Sequence, residues 1–140
     1  LGVFLGIFSD MDVSSRKQRP LLFLFSIILL GFYCAAIIFL NGPKVLLFAS
    51  LFLAFSLVIL NTVNMRIKAS IHVATISAFI LLFSSIYGTI FLLAAVPLAF
   101  IIGWSRVKIK RHTVPEVLMG GFLGITLAII FYIVSKLFFI

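Results

Sequence analysis

Apolar residues fill long, nearly uninterrupted blocks of this chain, and polar residues gather in a few short ones. Five blocks approach the 20 or so mostly apolar residues that a membrane-crossing helix needs. The first runs from Leu21 to Asn41, opened by Pro20 and closed by Asn41-Gly42-Pro43. The second runs from about Val45 to Val63, and the third from near Ser70 to Tyr87-Gly88. The fourth runs from Thr89 to Trp104 with Pro97 inside it. The fifth starts at Pro115, a suitable first-turn proline, and runs to the end. Leu1 to Phe8 reads as the tail of an earlier helix. Because the first residue is Leu1 and not Met, the chain is expected to be a fragment or a processed product. The pattern predicts an all-α, polytopic membrane bundle: five spans plus the tail of a truncated N-terminal span, forming one membrane-embedded domain over residues 1–140.

Composition removes the soluble alternative. With 64% hydrophobic and 10% charged residues and a mean hydropathy of +1.39, the chain has too little polar surface for a water-soluble domain of 140 residues. Cys34 is the single cysteine, so neither an internal disulfide nor a cysteine metal cluster is available. The net charge of +8 would suggest nucleic acid in a soluble protein. Here the aromatics lie in the apolar blocks and are not interleaved with the cations, so anionic lipid or a phosphate-bearing substrate is the expected partner, and nucleic acid is not.

The connections alternate in character. Asn41 to Lys44 and Tyr87 to Thr89 are minimal turns. Ser9 to Arg19, Asn64 to Ala69 and Ser105 to Pro115 are polar, and two spans separate each from the next, so all three fall on one membrane face. That face holds Asp10, Asp12 and Glu116, both histidines (His72 and His112), and nine of the eleven basic residues; Lys44 and Lys136 fall opposite. The positive-inside rule accounts for the cations. It does not account for the acids and imidazoles that join them, and a functional polar face does.

Each polar segment offers chemistry beside a plainer reading. In Ser105 to Glu116, a helix from about Thr113 would set Glu116 one turn beyond His112, where a carboxylate fixes the imidazole tautomer and leaves the other nitrogen to attack. Arg106 supplies a forked donor for phosphate oxygens; the plainer reading is a basic interfacial loop. In Lys68 to Val73, Ser70 either caps a helix or adds a hydroxyl to an anion site, and His72 either marks the interface or delivers a proton. In Ser9 to Pro20, the cations, Lys17 and Arg19 among them, either clamp a phosphate or anchor a helix start, and Asp10 and Asp12 are a candidate Mg²⁺ pair. Gly120, Gly121 and Gly124 are expected to let helices approach closely.

Arg19-Pro20, Ser70 with His72, and Ser105-Arg106 with His112 and Glu116 resemble, in order and spacing, the three motifs of the type 2 phosphatidic acid phosphatase superfamily of membrane phosphatases. The resemblance covers nearly the whole chain, and the third motif is its most specific part. Asp12 stands where the family has its first lysine, with Lys17 or Arg16 nearby but out of register. Ala69 and Ile71 replace the proline and glycine of the second motif, and Glu116 replaces the usual aspartate. The resemblance implies that His112 attacks phosphorus to give a phosphohistidine, that Glu116 orients it, and that His72 protonates the leaving group. It gives Arg19, Ser70 and Arg106, with Lys17 as the candidate fourth, to the phosphoryl oxygens. It implies no metal or other cofactor, and a lipid or polyprenyl phosphate or diphosphate as substrate.

Two other functions fit parts of the pattern. A Mg²⁺-dependent prenyltransferase-like enzyme would use Asp10 and Asp12, although the second acidic cluster such enzymes generally need does not exist here. A lipid-phosphate-binding or transport protein would keep the fold without turnover. On orientation, many members of the resembled family work on the extracytoplasmic side, whereas the cation count places the polar face in the cytoplasm. Lys108, Lys110 and Arg111, which have no role in the mechanism, decide the expectation for the cytoplasm.

Overall fold

The computed structural model describes residues 18–139. All regular secondary structure among them is helical: α1 (Arg19–Phe39), α2 (Lys44–Arg66), α3 (Ile71–Tyr87), α4 (Thr89–Lys108) and α5 (Val114–Phe139). Residues 1–8, Asp10, Asp12, Arg16 and Lys17 lie outside the described residues. Helices α1, α2, α4 and α5 are long and apolar enough to cross a membrane, while α3 has 17 residues. At 1.5 Å per residue α3 is about 25 Å long, a little short of a hydrocarbon core of roughly 30 Å.

Burial shows which solvent these helices suit. In the four long ones, only 11% to 22% of the most apolar window is buried inside the fold. Leu29, Phe32, Ile90, Phe100 and Phe122 all stand exposed. Helices apolar on every side yet scarcely buried by one another need an apolar surround, and a bilayer supplies it.

Two compact units divide between Arg66 and Ile67. In the first, α1 and α2 form a hairpin. Its turn is a Schellman motif: the Gly42 amide donates to the Ile37 carbonyl and the Asn41 amide to that of Ile38, with Asn41 left-handed at φ 51°. Helix α2 runs three residues past Val63, so Asn64 and Arg66 are helical and not part of a loop.

In the second unit α3 packs against both α4 and α5, and α4 and α5 touch each other sparingly. Gly88, at φ 82° and ψ −176°, makes the tight turn between α3 and α4, a conformation that only glycine adopts readily. The α3–α5 contact is built on missing side chains. A Cβ at Gly120 would strike the Ser70 carbonyl, and one at Gly124 the Ala74 carbonyl. The two backbones therefore touch along one turn of each helix, as small residues permit in membrane bundles. Gly121 has only ordinary van der Waals space around it. Helix α4 extends four residues past Trp104, so Ser105 and Arg106 lie on its last turn and the connection to α5 shrinks to residues 109–113. This topology puts the start of α3, the end of α4 and the start of α5 at one end of the unit. An aromatic stack of Phe79, Phe83 and Phe91 marks the other end.

Candidate functional site

The spacing of Arg106 and His112 is fixed by how α4 stops. Lys110 adopts the left-handed conformation at φ 56°. The Arg111 amide donates to the Arg106 carbonyl and the Lys110 amide to that of Val107, which makes a second Schellman motif. The same Arg106 carbonyl accepts the His112 amide at 3.2 Å. The chain therefore doubles back, and His112 returns beside the last turn of α4.

Helix α5 begins with one half of a capping box. Thr113 is its cap residue, and Glu116, three residues on, reaches back so that Oε2 accepts the Thr113 amide at 3.1 Å. The same oxygen lies 3.0 Å from His112 Nδ1. An ionised carboxylate only accepts, so a neutral His112 holds its proton on Nδ1 and its basic lone pair on Nε2. The His112 side chain is 7% exposed and that of Glu116 21%. The pair is thus largely shielded, and its geometry is held by a helix cap.

The start of α3 joins the same assembly. The Ser70 amide donates to the Glu116 carbonyl at 3.0 Å, and Lys68 Nζ donates to the Arg111 carbonyl at 2.9 Å. Ser70 is fully buried and makes no side-chain capping bond to α3. Its Oγ has no hydrogen-bond partner among the described residues. His72 is exposed, on the first turn of α3 two residues beyond Ser70. One end of the second unit thereby holds Ser70, His72, Arg106, His112 and Glu116, with Lys68, Lys108, Lys110 and Arg111 around them.

Arg19 belongs to the first unit. It is 6% exposed at the first position of α1, and its Nη1 donates to Asn64 Oδ1 at 2.6 Å. Asn64, itself 2% exposed, returns a bond from Nδ2 to the Leu60 carbonyl. Sequence reasoning placed Asn64 in a connecting loop and missed this partnership. An amide one turn from the end of an apolar helix was the available signal. Among the described residues no group of three His, Cys, Asp or Glu side chains stands together as a metal site.

Fold and site define an all-helical protein with four helices suited to a membrane, carrying a carboxylate–imidazole pair among cations at one end of its second unit. No family model, curated protein or solved structure matches the chain.

Proposed function

We propose that this protein is a membrane phosphatase of the type 2 phosphatidic acid phosphatase kind, acting on a lipid or polyprenyl phosphate monoester or diphosphate. The observation that carries the reading is the contact of Glu116 Oε2 with His112 Nδ1 at 3.0 Å, beside cations that suit a phosphate. His112 Nε2 attacks phosphorus, the bond from phosphorus to the leaving oxygen breaks, and His72 gives that oxygen a proton. Water then attacks the phosphohistidine, giving His72 a proton as the P–N bond breaks, and inorganic phosphate leaves. Glu116 stabilises the imidazolium character that develops on His112. Arg106 and Ser70 bind phosphoryl oxygens and the charge that grows on them. Arg19 and Lys17 carry the same assignment from the sequence pattern alone. In this reading α3 crosses the membrane too, giving five spans, and the polar end faces the cytoplasm because Lys108, Lys110 and Arg111 hold it there.

The test is phosphate release from a panel of lipid phosphates, with and without EDTA. His112→Ala is expected to abolish turnover on every substrate. His72→Ala is expected to retain slow turnover on an aryl phosphate, whose leaving group needs no proton. Near-normal activity of His112→Ala would overturn the mechanism. A binding protein without turnover is the second reading, favoured by the full enclosure of the Ser70 side chain; saturable binding with no phosphate released would establish it. Orientation is read separately, with Cys34 removed and a cysteine placed at Lys110. A membrane-impermeant thiol reagent added to intact cells is expected to leave it unlabelled.

A further inference from the structure

The helices that carry His112 diverge. Because α4 and α5 touch sparingly, an apolar groove of about 630 Å³ opens along α3, α4 and α5. Val107 and Val114, flanking the 109–113 turn, line one end of it; Leu92 on α4 and Ile125 on α5 lie at the other. From Val107 to Leu92 is about 22 Å along the helix, and from Val114 to Ile125 about 16 Å. One leaflet of a bilayer offers roughly 15 Å of hydrocarbon. The groove is therefore as long as one leaflet-length lipid chain.

Its two ends differ in charge. At the Val107–Val114 end stand Arg106, Lys108, Lys110 and Arg111, with Lys68 bonded to the Arg111 carbonyl. The one acid among the described residues of this unit, Glu116, is committed to His112 and Thr113. No charged residue lines the groove itself. We infer that the groove between α3, α4 and α5 holds an apolar chain of a lipid phosphate whose anionic head lies at the basic 109–113 turn. A head set against His112 rests on the phosphatase reading; the preference for a chain with an anionic end rests on the cations alone. An uncharged amphiphile of equal length forgoes the cations, and a phosphatidylcholine brings a cation of its own against them.

Trp104 lines the groove and is the only tryptophan of the chain, so its fluorescence reports occupancy. The experiment uses the whole protein in uncharged detergent micelles and titrates in a single-chain alkyl phosphate brominated midway along its chain. Controls are the same brominated chain as an alcohol and a brominated diacyl phosphatidylcholine. Saturable quenching by the alkyl phosphate is expected, with a midpoint at least about tenfold below both controls, the scale of one charge-assisted hydrogen bond. Ala99→Phe and Val96→Phe, which fill the groove from α4, are expected to raise that midpoint while the helical circular dichroism is unchanged. Equal, unsaturated quenching by all three probes would overturn the inference, and so would indifference to both filling substitutions. The titration is repeated on His112→Ala, which separates the two readings. Saturable binding there, with no phosphate released by the unsubstituted protein, leaves the groove assignment standing and sinks the phosphatase. Phosphate release that ignores chain length and groove filling does the reverse.

Discussion

Ser70→Ala separates a structural serine from a functional one, because the two roles move stability in opposite directions. A serine that caps a helix loses about 1 kcal/mol on substitution by alanine. Ser70 occupies the cap position of α3 but makes no side-chain capping bond. Its hydroxyl is instead enclosed without a hydrogen-bond partner among the described residues, and an unmatched buried polar group costs about 1–3 kcal/mol. Alanine keeps the Cβ, removes that cost and leaves a gap of one atom. The net expectation runs from no change to a gain of about 2 kcal/mol, a rise of up to several degrees in the unfolding midpoint for a chain of this length. Thermal unfolding in detergent micelles, followed by circular dichroism, reads it. On lipid phosphate, kcat/KM is expected to fall about tenfold or more, since a hydroxyl bond to a charged oxygen contributes about 1.5–3 kcal/mol. A loss of 1 kcal/mol or more would show that the hydroxyl caps the helix after all. Unchanged kcat/KM would remove Ser70 from the phosphate site.

Three further outcomes follow from the packing. Gly124→Ala drives a methyl into the Ala74 carbonyl and is expected to cost about 3 kcal/mol. Gly31→Ala, with open space around it, should instead gain about 0.5–1 kcal/mol of helix propensity; thermal unfolding of the two variants side by side makes the comparison. Lys110→Gly relieves a left-handed backbone and is expected to stabilise the fold slightly, by up to about 1 kcal/mol, whereas Lys110→Val destabilises it; the unfolding midpoint rises in the first and falls in the second. Asn64→Leu leaves the buried Arg19 guanidinium without its amide partner and should cost about 1.5–3 kcal/mol; the double variant Arg19→Leu, Asn64→Leu is expected to recover much of that in the same assay.

The helices were legible because apolar blocks of membrane length carry their own signal, and their ends were less so. Helix α4 was expected to stop at Trp104 because Arg106 and Lys108 read as loop. Cations are favourable at a helix C-terminus, where they meet the negative end of the dipole, so the helix runs on. What stops it is a left-handed residue that is lysine and not glycine, and no residue type announces that. The same blindness hid Asn64, whose amide is polar in the sequence and buried in the fold. The close approach of Gly120 and Gly124 was readable from small residues four apart. The resemblance put Arg106 and His112 at one phosphate, but the reversal of the chain at Lys110 that brings the Arg106 carbonyl to the His112 amide was not readable.

Glu116 is where structure and chemistry compete for one side chain. A carboxylate at the third position of a helix is explained by the capping box alone, and glutamate suits that box because its length reaches back to the cap amide. This accounts for glutamate where the resembled family has aspartate: the longer arm meets the Thr113 amide and His112 Nδ1 with one oxygen. The cap itself consists of the first of those contacts. An alanine at position 112 would leave the cap intact, and the Schellman turn needs only backbone from residues 106 to 111. His112, the enclosed hydroxyl of Ser70 and the exposed imidazole of His72 share the end of the unit that this cap holds. In the phosphatase reading they serve as nucleophile, donor and acid at the basic end of an apolar groove. Because the cap holds Glu116 in place with or without an imidazole beside it, His112→Ala tests the chemistry apart from the fold.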